Sequence, residues 1–221
     1  MDVKTAIEER RSIRKFGPEE VSQDTIREIL EEARWAPSWG NTQAWEFLVI
    51  TGDTLKKYQT ANCEKMAAGE AISPEIPMPE EWPGNLNKRY TDTVARLSNA
   101  LTIAREDKEA RNELYEKIFS LFDAPCLIVA CFDKSLCTDY AMLDIGLVIQ
   151  TICLSAHEKG LGTCIMAAAV MYPGLLRELV TVPDNKVIAM GIALGYPDLE
   201  SRENNFERVR ADLDELVTWA S

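Results

Sequence analysis

The sequence predicts an α+β or α/β domain on three observations. Apolar residues recur at helical spacing in several long segments, other apolar runs have the length of strands, and the two kinds intersperse without tandem repeats. The 221 residues suffice for one large domain with its own core, and no linker or low-complexity tract divides them. Residues 1–221 therefore read as a single domain.

Taken in order, residues 2–11 read as a short helix. Ile26, Ile29, Leu30 and Ala33 mark an amphipathic helix over roughly 22–36, ended by Pro37. Glu46 to Thr51 is a short apolar run closed by Gly52, a strand. Lys56 to Ala68 reads as a helix, and Ile72 to Gly84, with four prolines, as an irregular loop. Asn87 to Phe122 is charged and periodic, two helices with a break near Glu106–Lys108. Pro125–Phe132 and Val187–Leu194 are apolar on both faces, as strands in a covered sheet are. Between them, Met142, Ile145, Gly146, Ile149, Ile152, Cys153 and Ala156 mark one helix face. Leu143, Leu147, Val148 and Leu154 make its other side apolar too, so this helix is central.

Composition narrows the function. Hydrophobic content of 46% with 27% charged residues is globular, and a formal net charge of -12 argues against nucleic acid as a partner. A focused basic cluster is still free to hold a small phosphate. The N-terminus lacks an apolar signal core, and the longest uncharged apolar run, Ile145 to Ser155, is too short to span a bilayer. The expectation is a cytoplasmic protein without a membrane partner. Six cysteines without a Cys-x-x-Cys pair read as reduced, core-filling thiols instead of disulfides or a zinc site. A single histidine, His157, argues against a Ser-His-Asp triad or a multi-histidine metal centre. No catalytic side chain and no metal ligand is assigned, so a cofactor should carry the chemistry.

Four constellations stand out. Arg10-Arg11-Ser12-Ile13-Arg14 offers guanidinium forks and a hydroxyl suited to phosphate; read alone, such a short basic run is more simply a solvated helix end. Pro37 to Phe47 joins a helix to a strand through a polar loop exposing Ser38, Asn41 and Gln43, donors and acceptors for a planar heteroaromatic. Read alone, that loop is equally a connector anchored by Trp45. Gly160 to Ala168 (GLGTCIMAA) turns the chain out of the long helix into a strand, with small residues that let a flat ring lie close. Because it follows a helix instead of opening one, it is not a dinucleotide fingerprint. Leu194 to Pro197, followed by Arg208 and Arg210, ends in two arginines placed to clamp one anion. The alternative for that pair is scattered surface charge.

Together, and in this order, RRSIRKF, PSWGNTQAWEF, GLGTC, LGYPD and the terminal arginine pair resemble the FMN-dependent nitroreductase family over nearly the whole chain. Tyr90, Arg96, Ala104 to Asp107, Arg111 and Phe122 to Pro125 resemble its branch containing 4-nitrobenzoate reductases. The resemblance implies an α+β layered fold: a mixed sheet of about five strands wrapped by helices, in a homodimer. It implies FMN as cofactor, NADH or NADPH as co-substrate, and ping-pong transfer to a nitroaromatic, quinone or similar small acceptor.

By the same resemblance, Arg10, Arg11, Ser12 and Arg14, with Arg208 and Arg210, hold the flavin phosphate and ribityl chain, Arg14 reaching the N1/O2 edge. Pro37, Ser38 and Asn41 contribute from the other subunit, and the amides of Ala167 and Ala168 lie near N5 and O4. Asp144 and Gln150 match family positions and read as structural. Ala44, Ile165 and Ala167-Ala168 depart from the family's usual proline, tryptophan and glycine pair, which loosens the substrate assignment. The alternatives are a flavin reductase for a specific metabolite, by enone reduction or reductive dehalogenation, a non-catalytic FMN-binding module, or a helical interaction protein without flavin.

Overall fold

A computed structural model describes residues 1–220. Helices α1 (Val3–Glu9) and α2 (Gln23–Ala33) precede β1 (Trp45–Thr51), which runs directly into α3 (Gly52–Ala67). After the proline-rich stretch come α4 (Asn85–Ala100), α5 (Lys108–Phe119), β2 (Cys126–Asp133) and the long α6 (Thr138–Glu158). The chain ends through β3 (Gly162–Met166), α7 (Pro173–Leu179) and β4 (Lys186–Gly195). Sequence periodicity locates every helix except α7. That helix is seven residues long and begins at Pro173, too short to show a repeat.

The sheet has four strands among the described residues, in the order β1-β2-β4-β3, and every neighbouring pair is antiparallel. This corrects the expected mixed sheet of about five strands. One isolated bridge, Ser12 to Thr163, is parallel. The continuous apolar runs of β2 and β4 have another cause than strand direction: helices cover both faces. Leu127, Val129 and Cys131 face one core with Leu55, Tyr58, Phe119 and Leu176. Ile128, Ala130 and Phe132 face the other with Ile29, Ile145, Ile149 and Ile152. Burying each such valine, leucine, isoleucine or phenylalanine stabilises the fold by about 1.5–3 kcal/mol before entropy is counted.

Helix α6 is the axis of this second layer. It packs against the sheet and α2, where Glu32 accepts from Ser155 Oγ and pairs with Lys159 at 2.9 Å. At 21 residues it is long and apolar enough to cross a membrane by length and composition alone, although its uncharged apolar run, Ile145–Ser155, is shorter. Half of its most apolar 18-residue span is buried inside the fold, as a core helix is. Of the six free cysteines, Cys126, Cys131, Cys153 and Cys164 are core-filling as expected. Cys63 is half-buried, and Cys137, at the start of α6, is exposed instead.

Candidate active site

The basic segment leaves α1 at Arg10 and runs alongside β3. Ile13 N–H donates to the Thr163 carbonyl at 2.8 Å, and the Ile13 side chain is buried. Gly162 makes this approach possible: a Cβ there would meet Ile13 Cγ1 at 2.4 Å. By sequence, the glycines of this motif serve the turn out of the long helix; the structure adds that Gly162 admits the chain's own basic segment.

Residues 204–210 close over the segment from the other side. Asn204, 2% exposed, is the organiser. Its Oδ1 accepts the Arg14 amide at 2.7 Å, and its Nδ2 donates to the carbonyls of Lys15 and Asp198, each at 2.8 Å. Its own carbonyl accepts from Arg11 Nη1 at 2.6 Å. The Arg14 guanidinium lies over the Phe206 ring, 5.3 Å from its centroid. Arg208 donates to the carbonyls of Glu8 and Arg10 and so ties the tail to the end of α1. Arg210 is exposed; among the described residues its polar contact is the carbonyl of neighbouring Val209 at 3.1 Å.

Helix α4 completes the cleft with Thr93 and Arg96, the latter paired with Glu207. The cleft measures about 130 Å³ and is lined by Arg10, Arg11, Arg14, Arg96, Arg208 and Arg210, with Glu207 as the one carboxylate among the described residues. Six arginines line one small cleft in a chain of net charge -12, an arrangement suited to an anion. The charges are under-compensated. Burial, then the charges of Arg11, Arg210 and Arg10, hold Arg208 below the ordinary arginine value. Arg10 Nε is buried without a hydrogen-bond partner among the described residues, as is His157 Nε2 nearby. Burial pushes the His157 imidazole down; Glu9 opposes that, while Arg10, Arg208 and Arg11 reinforce it.

At its other end β3 delivers Ala167 and Ala168. At about 3.3 Å per residue, Ala167 sits roughly 13 Å along the strand from Thr163. Two fully buried side chains of α3 pin the turn: Tyr58 OH donates to the Ala169 carbonyl at 2.8 Å, and Asn62 Nδ2 to the Ala168 carbonyl at 3.2 Å. Burial also raises the Tyr58 phenol, keeping it a neutral donor. The strand is thus a rail, with the arginine cleft at one end and a rigid backbone turn at the other. Ile165 is exposed between them.

The Pro37–Gln43 loop lies elsewhere. Ser38 Oγ accepts the Gln43 amide at 2.9 Å, while Gly40, Asn41 and Gln43 adopt positive φ. Trp39 N–H donates to Asp144 Oδ1 at 2.9 Å, and the Trp39 ring meets Tyr140 at 4.7 Å. Asp144 is buried and structural, as read from the sequence; Gln150 is exposed. From Asp144 to His157, beside the arginines, α6 rises roughly 20 Å. One chain therefore brings Arg10, Arg11, Ser12, Arg14, Arg208 and Arg210 together and leaves Pro37, Ser38 and Asn41 apart. Sequence reasoning missed Asn204 and Glu207 and gave Arg96 no role in the cleft. Their importance comes from long-range closure, and local pattern carries no trace of it.

The nitroreductase family model matches residues 7–196. The chain is 33% identical over 216 residues to the nitrobenzene nitroreductase of Ectopseudomonas oleovorans, covering 96% of this chain and 94% of that one. It is 28% identical over 209 residues to the 4-nitrobenzoate reductase of Pseudomonas putida, covering 95% and 91%. Among solved structures, the FMN-dependent nitroreductase NfnB from Mycobacterium smegmatis, in complex with NADPH, superposes with a TM-score of 0.92 at 28% identity. That match covers 99% of this chain and 97% of the other. Fold, cleft and sequence agree, and the chain belongs to the nitroreductase family.

Proposed function

We propose that the protein is an FMN-dependent oxidoreductase. It passes reducing equivalents from NADH or NADPH, by a ping-pong mechanism, to a nitroaromatic, quinone or similar small organic acceptor. The observation that carries this is the arginine cleft at one end of β3 with a pinned backbone turn at the other. The similarity to proteins named for nitrobenzene and 4-nitrobenzoate supports the acceptor class.

The residues fit FMN. A phosphate would relieve the crowded arginines and supply acceptors for a buried, unpartnered Arg10 Nε. Arg10, Arg11, Ser12, Arg14, Arg208 and Arg210 would hold it, and Ala167–Ala168 would border the ring. Flavin supplies the hydride and electron chemistry. The protein's part is to fix the phosphate, hold the 167–170 turn rigid and present one stacking surface that donor and acceptor must share in turn.

The cytoplasmic protein works as a homodimer in this reading. Tyr140, Leu143 and Leu147 expose 49%, 55% and 36% of their surface along one flank of α6, with open space beside Gly146. A cleft of about 130 Å³ is smaller than the roughly 300–1,000 Å³ of ordinary ligand pockets, so a second wall is needed. Two α6 helices crossing antiparallel near Gln150 would bring the Asp144-anchored loop of each chain to the His157 end of the other. Pro37, Ser38 and Asn41 would then complete the partner's site.

Chromatography of heat-released cofactor, anaerobic reduction by each nicotinamide and reoxidation by 4-nitrobenzoate test the assignment together. FMN and parallel double-reciprocal lines are expected. Bound FAD or no flavin after reconstitution would overturn it, and FMN that neither nicotinamide reduces would leave a binding module. Sedimentation followed at the flavin absorbance should place the cofactor with the dimer.

A further inference from the structure

Helix α4 is laid across the arginine cleft with every residue at least partly exposed, so little apolar burial holds it there. Two ion pairs to the C-terminal stretch do so: Arg89 with Glu215 at 2.8 Å, and Arg96 with Glu207. Arg89 and Arg96 are seven residues apart, on the same face of the helix. The inner pair is the unusual one. It places a carboxylate among six arginines, where an incoming anion would be repelled by it.

We infer that Arg96 is a sixth arginine of the cofactor-phosphate site and that Glu207 is a competing counter-ion which sets its selectivity for a doubly charged phosphate. This rests on the reading of the arginine cleft as the flavin-phosphate site. The Glu207 side chain is 73% exposed and that of Arg96 37%, both on flexible stems at the cleft wall, so their mutual pair is weak. A phosphate dianion offers more charge and more acceptor oxygens than a carboxylate and wins the guanidinium. Glu207 then turns to solvent. A ligand without the phosphate, such as riboflavin, does not displace it. Because Arg96 belongs to α4, the exchange also anchors that helix to the cofactor.

The test is the dissociation constant of FMN and of riboflavin for the full chain, read by flavin fluorescence, with Arg96→Ala, Arg96→Lys, Glu207→Gln and Arg210→Ala. Arg96→Ala should weaken FMN about tenfold and leave riboflavin unchanged, with partial recovery in Arg96→Lys. Glu207→Gln should tighten FMN several-fold, again without effect on riboflavin. Equal losses for both ligands in Arg96→Ala would mean that α4 has merely shifted, and would overturn the inference. FMN affinity unchanged or weakened by Glu207→Gln would overturn the counter-ion role. If Arg210→Ala weakens FMN while Arg96→Ala does not, only this inference fails. If neither changes it, the phosphate reading of the cleft fails as well.

Discussion

Asp144 Oδ1, buried on α6, accepts the backbone amide of Trp39 at 2.9 Å and so fixes a loop more than a hundred residues earlier in the chain. Replacing Asp144 by alanine strands that amide at a cost of about 1–3 kcal/mol. In a chain of this size each kcal/mol lowers the melting temperature by about 2–4 °C. Asp144→Asn keeps an acceptor and should retain most of the stability, as thermal unfolding of the two variants will show.

The terminal arginines should separate binding from folding. Arg210 leans on its own neighbour's backbone, whereas Arg208 holds the carbonyls of Glu8 and Arg10. Arg210→Ala should weaken FMN by about 10- to 100-fold, from charge-assisted bonds worth about 1.5–3 kcal/mol, with an unchanged melting temperature. Arg208→Ala should lose affinity and also melt earlier. Equal melting temperatures for the two variants would contradict the anchoring role of Arg208.

Asn204 joins three segments, so Asn204→Ala leaves the Arg14 amide and the Lys15 and Asp198 carbonyls without it. The two carbonyls keep backbone donors, the amides of Asp198 and Ser201, so the Arg14 amide is the group left unpaired and a loss of about 1–3 kcal/mol is expected. Weaker flavin binding should accompany it, because the basic segment loses its clamp. Urea unfolding gives the first quantity and flavin fluorescence the second.

His157 should make stability sensitive to mild acid. Its folded value lies below the ordinary 6.5, with burial as the largest cause. The unfolded chain therefore binds the proton more readily. The associated stability is present in full above about 6.5 and is lost as pH falls from there through the lowered folded value. Urea midpoints should drop between pH 7.5 and 5.5 in the natural protein. The drop should be smaller in His157→Gln, and equal slopes would refute the linkage.

Sequence pattern located β1, β2, β4 and the helices around them because their apolar spacing is local. It also singled out the arginines at both ends of the chain, although residue type alone leaves them readable as solvated charge; the structure brings them to one cleft. Strand direction and order were beyond it: covering the two faces of β2 with helices produces the same apolar run whether its neighbours are parallel or antiparallel. Asn204 was equally hidden. Four of its hydrogen bonds reach Arg11, Arg14, Lys15 and Asp198, three of them some 190 residues away. Nor does spacing in the chain reveal that α6 holds Ser38 and Asn41 far from the arginines.

That separation gives α6 the character of a gauge block. Its rise between Asp144 and His157 sets the reach between the loop docked at one end and the cleft at the other. In the homodimer proposed above the same interval would be used twice. Adding one helical turn inside it would move the loop by about 5 Å and leave both sites out of alignment. Length changes are more tolerable in residues 77–84, exposed and outside any helix or strand, than at Ser73 and Glu75, which are tied to Met171, Arg177 and Ile188. Between Asp144 and His157, by contrast, a change of length shifts one end of this span against the other, however conservative the chemistry of the added residues.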